Sequence, residues 1–126
     1  MLAGESEPKT WQEAALTVAN EIAALISQKQ RRYGQKNVLR FGEHGVVVRS
    51  SDKFERLLNL LAQQAEMPNP EVFDKDVVEC WVDIAGHALI ALMLRRGWFT
   101  LELDESWWKE LPDQAEGLPD GFIPTI

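Results

Sequence analysis

Apolar side chains recur at helical spacing in three stretches of the chain. In the first, Trp11, Ala15, Val18, Ile22, Leu25 and Ile26 fall three or four residues apart, so one helix face is core. Thr10 precedes this run with Glu13 three residues on, the pairing of a capping box. Lys29, Arg31 and Arg32 close it ahead of Tyr33 and Gly34, where cations favour the negative helix end and glycine accepts a left-handed stop. A second apolar face, made by Phe54, Leu57, Leu58 and Leu61, predicts a helix that begins between Gly45 and Ser51 and ends near Ala65, before the breaker Met67-Pro68-Asn69-Pro70. Asp74 is placed as the N-cap of a third helix, which runs to Arg95 and Arg96 and stops at Gly97.

The pattern therefore predicts helices over residues 10–32, 50–65 and 74–96, in an all-α, antiparallel helical bundle. Residues 35–45, with Asn37, Phe41 and two glycines, read as an irregular connection. The β-branched run Val46-Val47-Val48 is too short to stand as a strand and joins the second helix directly. Residues 1–9 read as a flexible N-terminus and 10–97 as the helical domain. Residues 98–126 read as an arm with room for a short helix over 101–111, with Trp107 and Trp108 as its bulk. Beyond it, Pro112, Gly117, Pro119, Gly121 and Pro124 favour extended chain. Adjacent tryptophans and Phe122 need a surface to bury their rings, on a neighbouring subunit or on the domain itself.

Charge narrows the partners. The formal net charge of −7 repels phosphate backbones, so direct nucleic-acid binding is not expected. Single nucleotides stay open, since a local basic cluster or a divalent cation screens them. A single cysteine, Cys80, rules out an internal disulfide and suits a reducing cytoplasm. With no basic neighbour to activate it, Cys80 reads as buried and inert. The acidic, polar start lacks the apolar core of a signal peptide, and the most apolar stretch, residues 77–94, contains Glu79, Asp83 and His87. No membrane association and a cytoplasmic location are expected.

Those acids also carry the candidate chemistry. Asp76, Glu79, Asp83 and His87 are spaced three, four and four apart and share one face of the third helix. A carboxylate among core residues is costly unless it is paired or binds a metal. Asp83 is thus either a metal ligand or half of a buried pair with His87 or an arginine of the second helix. His87 reads as a hydrogen-bonded core histidine or as a ligand contact. Gly86 costs about 1 kcal/mol against alanine in a helix interior. On the second helix Arg49, Asp52, Arg56 and Asn59 also align, flanked by Lys53 and Glu55. If the two stripes face each other, carboxylates and cations meet in one groove. That arrangement suits a Mg²⁺–triphosphate ligand, or a plain ladder of ion pairs. Arg31-Arg32-Tyr33-Gly34-Gln35-Lys36-Asn37 adds basic groups, a stacking ring and an amide.

Several tracts have a familiar arrangement. Tyr33-Gly34, Asn37, Phe41-Gly42, the run Arg49-Ser50-Ser51-Asp52-Lys53-Phe54-Glu55-Arg56-Leu57-Leu58-Asn59-Leu60 and the run Asp83-Ile84-Ala85-Gly86-His87-Ala88 resemble the phage-rich nucleotide modification associated domain family, type 1. That family is grouped with the all-α nucleoside-triphosphate pyrophosphohydrolases, which include MazG and dimeric dUTPase. The resemblance covers about residues 20 to 96. It implies an all-α pyrophosphohydrolase-type bundle, Mg²⁺ as cofactor, a nucleoside triphosphate as ligand, a homo-oligomer, and a host cytoplasm if the chain is phage-encoded. Asp83 matches the final aspartate of the group's metal pattern, and Glu79 stands one place before the preceding glutamate. Asp52 takes one acidic place on the second helix, while Lys53 and Arg56 occupy the other glutamate positions and Glu55 is offset.

The resemblance thus implies a (deoxy)nucleoside triphosphate pyrophosphohydrolase. Glu79, Asp83 and Asp52 hold metal. Lys53, Arg49 and Arg56 hold phosphate. Asn59, Tyr33, Asn37 and His87 contact the rest of the substrate. A non-catalytic nucleotide-binding or accessory protein fits the same groove, and a helical interaction module is the third expectation.

Overall fold

The structure is a computed structural model, and it describes residues 7–67 and 74–106. Most of the described residues are helical, and no strand occurs among them. In chain order the helices are α1 (Trp11–Tyr33), α2 (Lys36–Glu66) and α3 (Asp74–Arg96). They fall in two compact units, one of residues 7–34 with 102–106 and the other of residues 35–67 with 74–101.

In the first unit, α1 opens as its sequence dictates. Thr10 Oγ1 accepts from the Glu13 backbone N–H at 3.1 Å, and the Glu13 carboxylate accepts from the backbone N–H groups of Thr10 and Lys9. The capping box thereby satisfies donors that the first turn would leave orphaned. Gly34, at φ 74°, ends the helix, and its N–H donates to the Gln30 carbonyl. Burial is confined to the later turns, at Glu21, Ala24 and Leu25, while Trp11, Leu16 and Val18 are exposed. Arg31 Nε reaches Glu105 at 3.2 Å. Asp104 Oδ1 accepts from the Ser106 backbone N–H at 3.0 Å, a helix-opening contact. The remainder of the expected short helix and the arm with Trp107, Trp108 and Phe122 lie outside the described residues.

In the second unit, α2 differs from expectation. Residues 36–45 lie within α2, which starts at Lys36 rather than after Gly45. The two glycines suggest a loop, but the helix absorbs one of them as a kink: Gly42 takes φ 61°, ψ −154°, a region essentially confined to glycine. Helix resumes at once after it. The bend brings the Phe41 Cβ so close to Gly45 that a Cβ built on residue 45 would lie 2.5 Å away, inside any normal contact. Two glycines thus serve one bend, one supplying the backbone angle and the other the room. Val46, Val47 and Val48 are helical.

α3 begins at Asp74 and places Asp76 in its first turn, where negative charge meets the positive helix end. It ends in a Schellman arrangement. The Trp98 N–H donates to the Met93 carbonyl and the Gly97 N–H to the Leu94 carbonyl, with Gly97 at φ 71°. Arg96 lies over the Trp98 ring at 4.8 Å, and Phe99 tucks in, buried. α3 is long and apolar enough, by length and composition alone, to cross a membrane.

α2 and α3 run antiparallel, since partners on α3 fall in number as those on α2 rise. Glu43 pairs with Arg95, Ser50 with His87, Lys53 with Asp83 and Arg56 with Asp76. The apolar seam is Leu57, Leu60 and Cys80, with Val77 and Ile84 packed against them.

Candidate functional site

The seam positions of α2 are Val46, Ser50, Lys53, Leu57 and Leu60, three or four residues apart and turned toward α3. This face is rotated by one residue from the expected stripe of Arg49, Asp52, Arg56 and Asn59. One residue is about 100° of helix. Asp52 and Asn59 are accordingly exposed, Arg49 is half-buried, and Arg56 sits at the edge. Of the expected apolar face, Leu57 is buried but Phe54, Leu58 and Leu61 are exposed.

The acidic stripe of α3 lies where its spacing put it. Glu79, Asp83 and His87 are all buried on the α2-facing side, with Cys80 and Gly86 buried beside them. The Asp83 side chain is 1 % exposed, and its Oδ2 lies 3.0 Å from Lys53 Nζ. The cation of the second helix that answers this carboxylate is therefore Lys53, where an arginine was expected. One turn further along α3, His87 Nδ1 and Ser50 Oγ are 3.1 Å apart. At the other end, Arg56 and Asp76 are 3.6 Å apart and both well exposed, a contact of small energetic weight.

Glu79 lies between these rungs. It is 7 % exposed, and no hydrogen bond to its carboxyl is found among the described residues. Burial pushes its pKa above the ordinary 4.5, and the charge of Asp76 adds to this; Arg56 and Lys75 pull the other way. Burial also pushes the Cys80 thiol up, which keeps it protonated and unreactive.

The hairpin thus gathers Glu79, Asp83, Lys53, Arg56 and His87 along one seam and leaves Asp52 and Asn59 on the outside. Tyr33, at the end of α1, and Asn37, in the first turn of α2, are both exposed. Among the described residues no three His, Cys, Asp or Glu side chains form a group able to hold a metal. The expected trio of Asp52, Glu79 and Asp83 reduces to the pair on α3. Sequence reading missed Ser50 as the partner of His87 and Glu43 as the partner of Arg95. The first was within reach, because residue 50 stands seven before Leu57 and three before Lys53 on one helix face.

Comparisons with family models, with curated proteins and with solved structures return no match to this chain.

Proposed function

We propose that the α2–α3 seam binds a nucleoside triphosphate with Mg²⁺, and that the protein is a pyrophosphohydrolase converting a (deoxy)nucleoside triphosphate to its monophosphate and pyrophosphate. The observation that carries this reading is Glu79: a buried carboxyl, without a hydrogen bond among the described residues, one turn from the buried Asp83. Burying such a group is unfavourable in isolation, and a ligand of opposite charge would make it favourable. Mg²⁺ is commonly held by only one or two protein carboxylates together with water and phosphate oxygens, so the pair on α3 suffices. When bound, the cation would polarise a phosphate and lower the pKa of an attacking water.

The chain's own residues supply the rest. Glu79 and Asp83 would hold the metal. Lys53, Arg56 and Arg49 neutralise phosphate charge as it shifts toward the leaving pyrophosphate. Asn37 is left to contact sugar or base; Asn59, like Asp52, is on the outside of α2, and Tyr33 belongs to the other unit. His87, bonded to Ser50, fixes the two helices beside the site. Asp52, on the outside of α2, has no place in the metal pair. The resemblance noted from the sequence supports the same reading, along with a bundle of the pyrophosphohydrolase type and a homo-oligomer. A cytoplasmic location is part of the same proposal, and the single cysteine suits it.

A second reading, nucleotide binding without turnover, is favoured by the Lys53–Asp83 pair. That contact already neutralises one of the two carboxylates. Calorimetric titration with nucleoside triphosphates, with and without Mg²⁺, tests binding, and pyrophosphate release tests turnover. Mg²⁺-dependent binding with release supports the hydrolase. Binding without release leaves the second reading, and no binding removes both in favour of an interaction module.

A further inference from the structure

We infer that Lys53 is a displaceable counter-ion, holding on Asp83 the place of a divalent cation and passing its charge to the phosphates when a nucleotide brings that cation in. This rests on the nucleotide reading above and adds how the ligand-free site is kept and opened.

The geometry makes Lys53 the movable member of the seam. Asp83 is fixed on α3 and 1 % exposed, so its charge must be met from within the fold, and the ammonium 3.0 Å away meets it. The Lys53 side chain is 19 % exposed, so it has a path to solvent. Its four-carbon stem rotates freely, and its charge is a compact, strongly hydrated point. A divalent cation on Asp83 and Glu79 would set like charges against each other, so the ammonium and the metal exclude one another. The neighbouring contacts do not depend on Lys53. Ser50–His87 on one side and the Leu57, Leu60 and Cys80 cluster on the other keep α2 and α3 together when it moves.

Two consequences follow for binding. Mg²⁺ alone must expel Lys53 into water, with nothing gained for the ammonium beyond hydration. Mg²⁺ carried by a triphosphate offers that ammonium a phosphate oxygen at the same moment, a charge-assisted contact. Metal and triphosphate therefore bind cooperatively, and Lys53 is the residue that couples them.

The experiment titrates wild type, Lys53→Met and Lys53→Gln with Mg²⁺ alone and with Mg²⁺ plus non-hydrolysable analogues of the common deoxynucleoside triphosphates, and records melting curves on the same samples. Wild type should take Mg²⁺ alone weakly and the Mg²⁺–triphosphate tightly. Both variants should bind Mg²⁺ alone about tenfold more tightly, the size of effect a close like charge has on a bound proton. Both should lose affinity for the triphosphate. Each should melt below wild type in chelator and recover in millimolar Mg²⁺, and a variant that folds only with Mg²⁺ gives the same answer. If wild type binds Mg²⁺–triphosphate but neither variant gains Mg²⁺ affinity or recovers with it, Lys53 is a fixed structural partner and the inference fails alone. Variants unfolded both with and without Mg²⁺ would likewise make Lys53 a fixed structural partner. If wild type binds no triphosphate under any condition, the nucleotide reading fails and takes the inference with it.

Discussion

At the scale of single residues, the seam holds two acids of opposite character. Asp83 has a partner and Glu79 has none among the described residues, so removing their charges should have opposite effects on the ligand-free protein. Asp83→Asn strands the Lys53 ammonium. A fully buried pair broken in this way loses roughly 3–5 kcal/mol. Lys53 has some solvent access, so a loss of about 2–3 kcal/mol is expected, read as a lower denaturation midpoint with an unchanged slope. A change within a few tenths of a kcal/mol would show that the pair contributes nothing in solution. Glu79 acts through pH. Its folded pKa lies above the ordinary 4.5, so the folded chain holds that proton more tightly than the unfolded chain. The associated stability is whole below about 4.5 and is lost as pH rises through the folded value. Glu79→Gln should remove that decline and melt above wild type at neutral pH without metal. Melting curves across the acid range decide this, and parallel profiles for the two proteins would refute it.

At the scale of elements, the helices owe their ends to local chemistry and α2 owes its bend to glycine. Thr10→Ala removes one side of the capping box and should cost about 1 kcal/mol. Gly42→Ala should cost about 1–3 kcal/mol, because alanine tolerates φ 61°, ψ −154° poorly. Gly45→Ala should also destabilise, since its Cβ would meet Phe41. If the bend is a required feature, the double variant should lose less than the sum of the two single losses, because straightening the helix relieves both strains at once. Chemical denaturation of the three variants measures this, and strict additivity would mean that the glycines act separately. The bend also lies next to Glu43, whose carboxylate accepts from both Nε and Nη2 of Arg95 in the last turn of α3. Both side chains are well exposed, so this forked contact, like Arg56–Asp76, carries small energetic weight.

At the scale of the whole molecule, large apolar side chains stand exposed on every helix: Trp11 and Leu16 on α1, Phe54 and Leu58 on α2, Trp81 and Leu92 on α3. On α2, Phe54, Leu58 and Leu61 are spaced four and three apart and exposed on one helix face, an apolar stripe of the kind that marks association sites. We therefore expect a homo-oligomer, and sedimentation equilibrium at micromolar concentration should show a mass above that of one chain. Leu58→Glu should shift the distribution toward monomer while leaving the far-ultraviolet circular dichroism unchanged. A wild type that sediments only as monomer would remove the expectation.

Element ends and element type were legible in the sequence because they are set locally. Thr10 with Glu13, Gly34 and Gly97 each act within a few residues of the chain, and the structure ends its helices at them. The acidic face of α3 was legible for the same reason: residues 79, 83 and 87 align on any helix, whatever packs on it. The start of α2 was not, because glycine at residue 42 is compatible with a loop and with a kinked helix, and only packing against α3 distinguishes them. Nor was the inward face of α2. Phe54, Leu58 and Leu61 make an apolar stripe as convincing as Val46, Leu57 and Leu60, and a helix with two such stripes can present either. Tertiary structure chose the second, because that rotation brings Lys53 to Asp83 and Ser50 to His87 and leaves no charge of Asp52 to bury. The sequence by itself determined that three long segments are helical and which acids share a face. The tertiary structure decided which cation meets them, since that depends on how far one helix is turned about its axis, and nothing within a single helix fixes that angle.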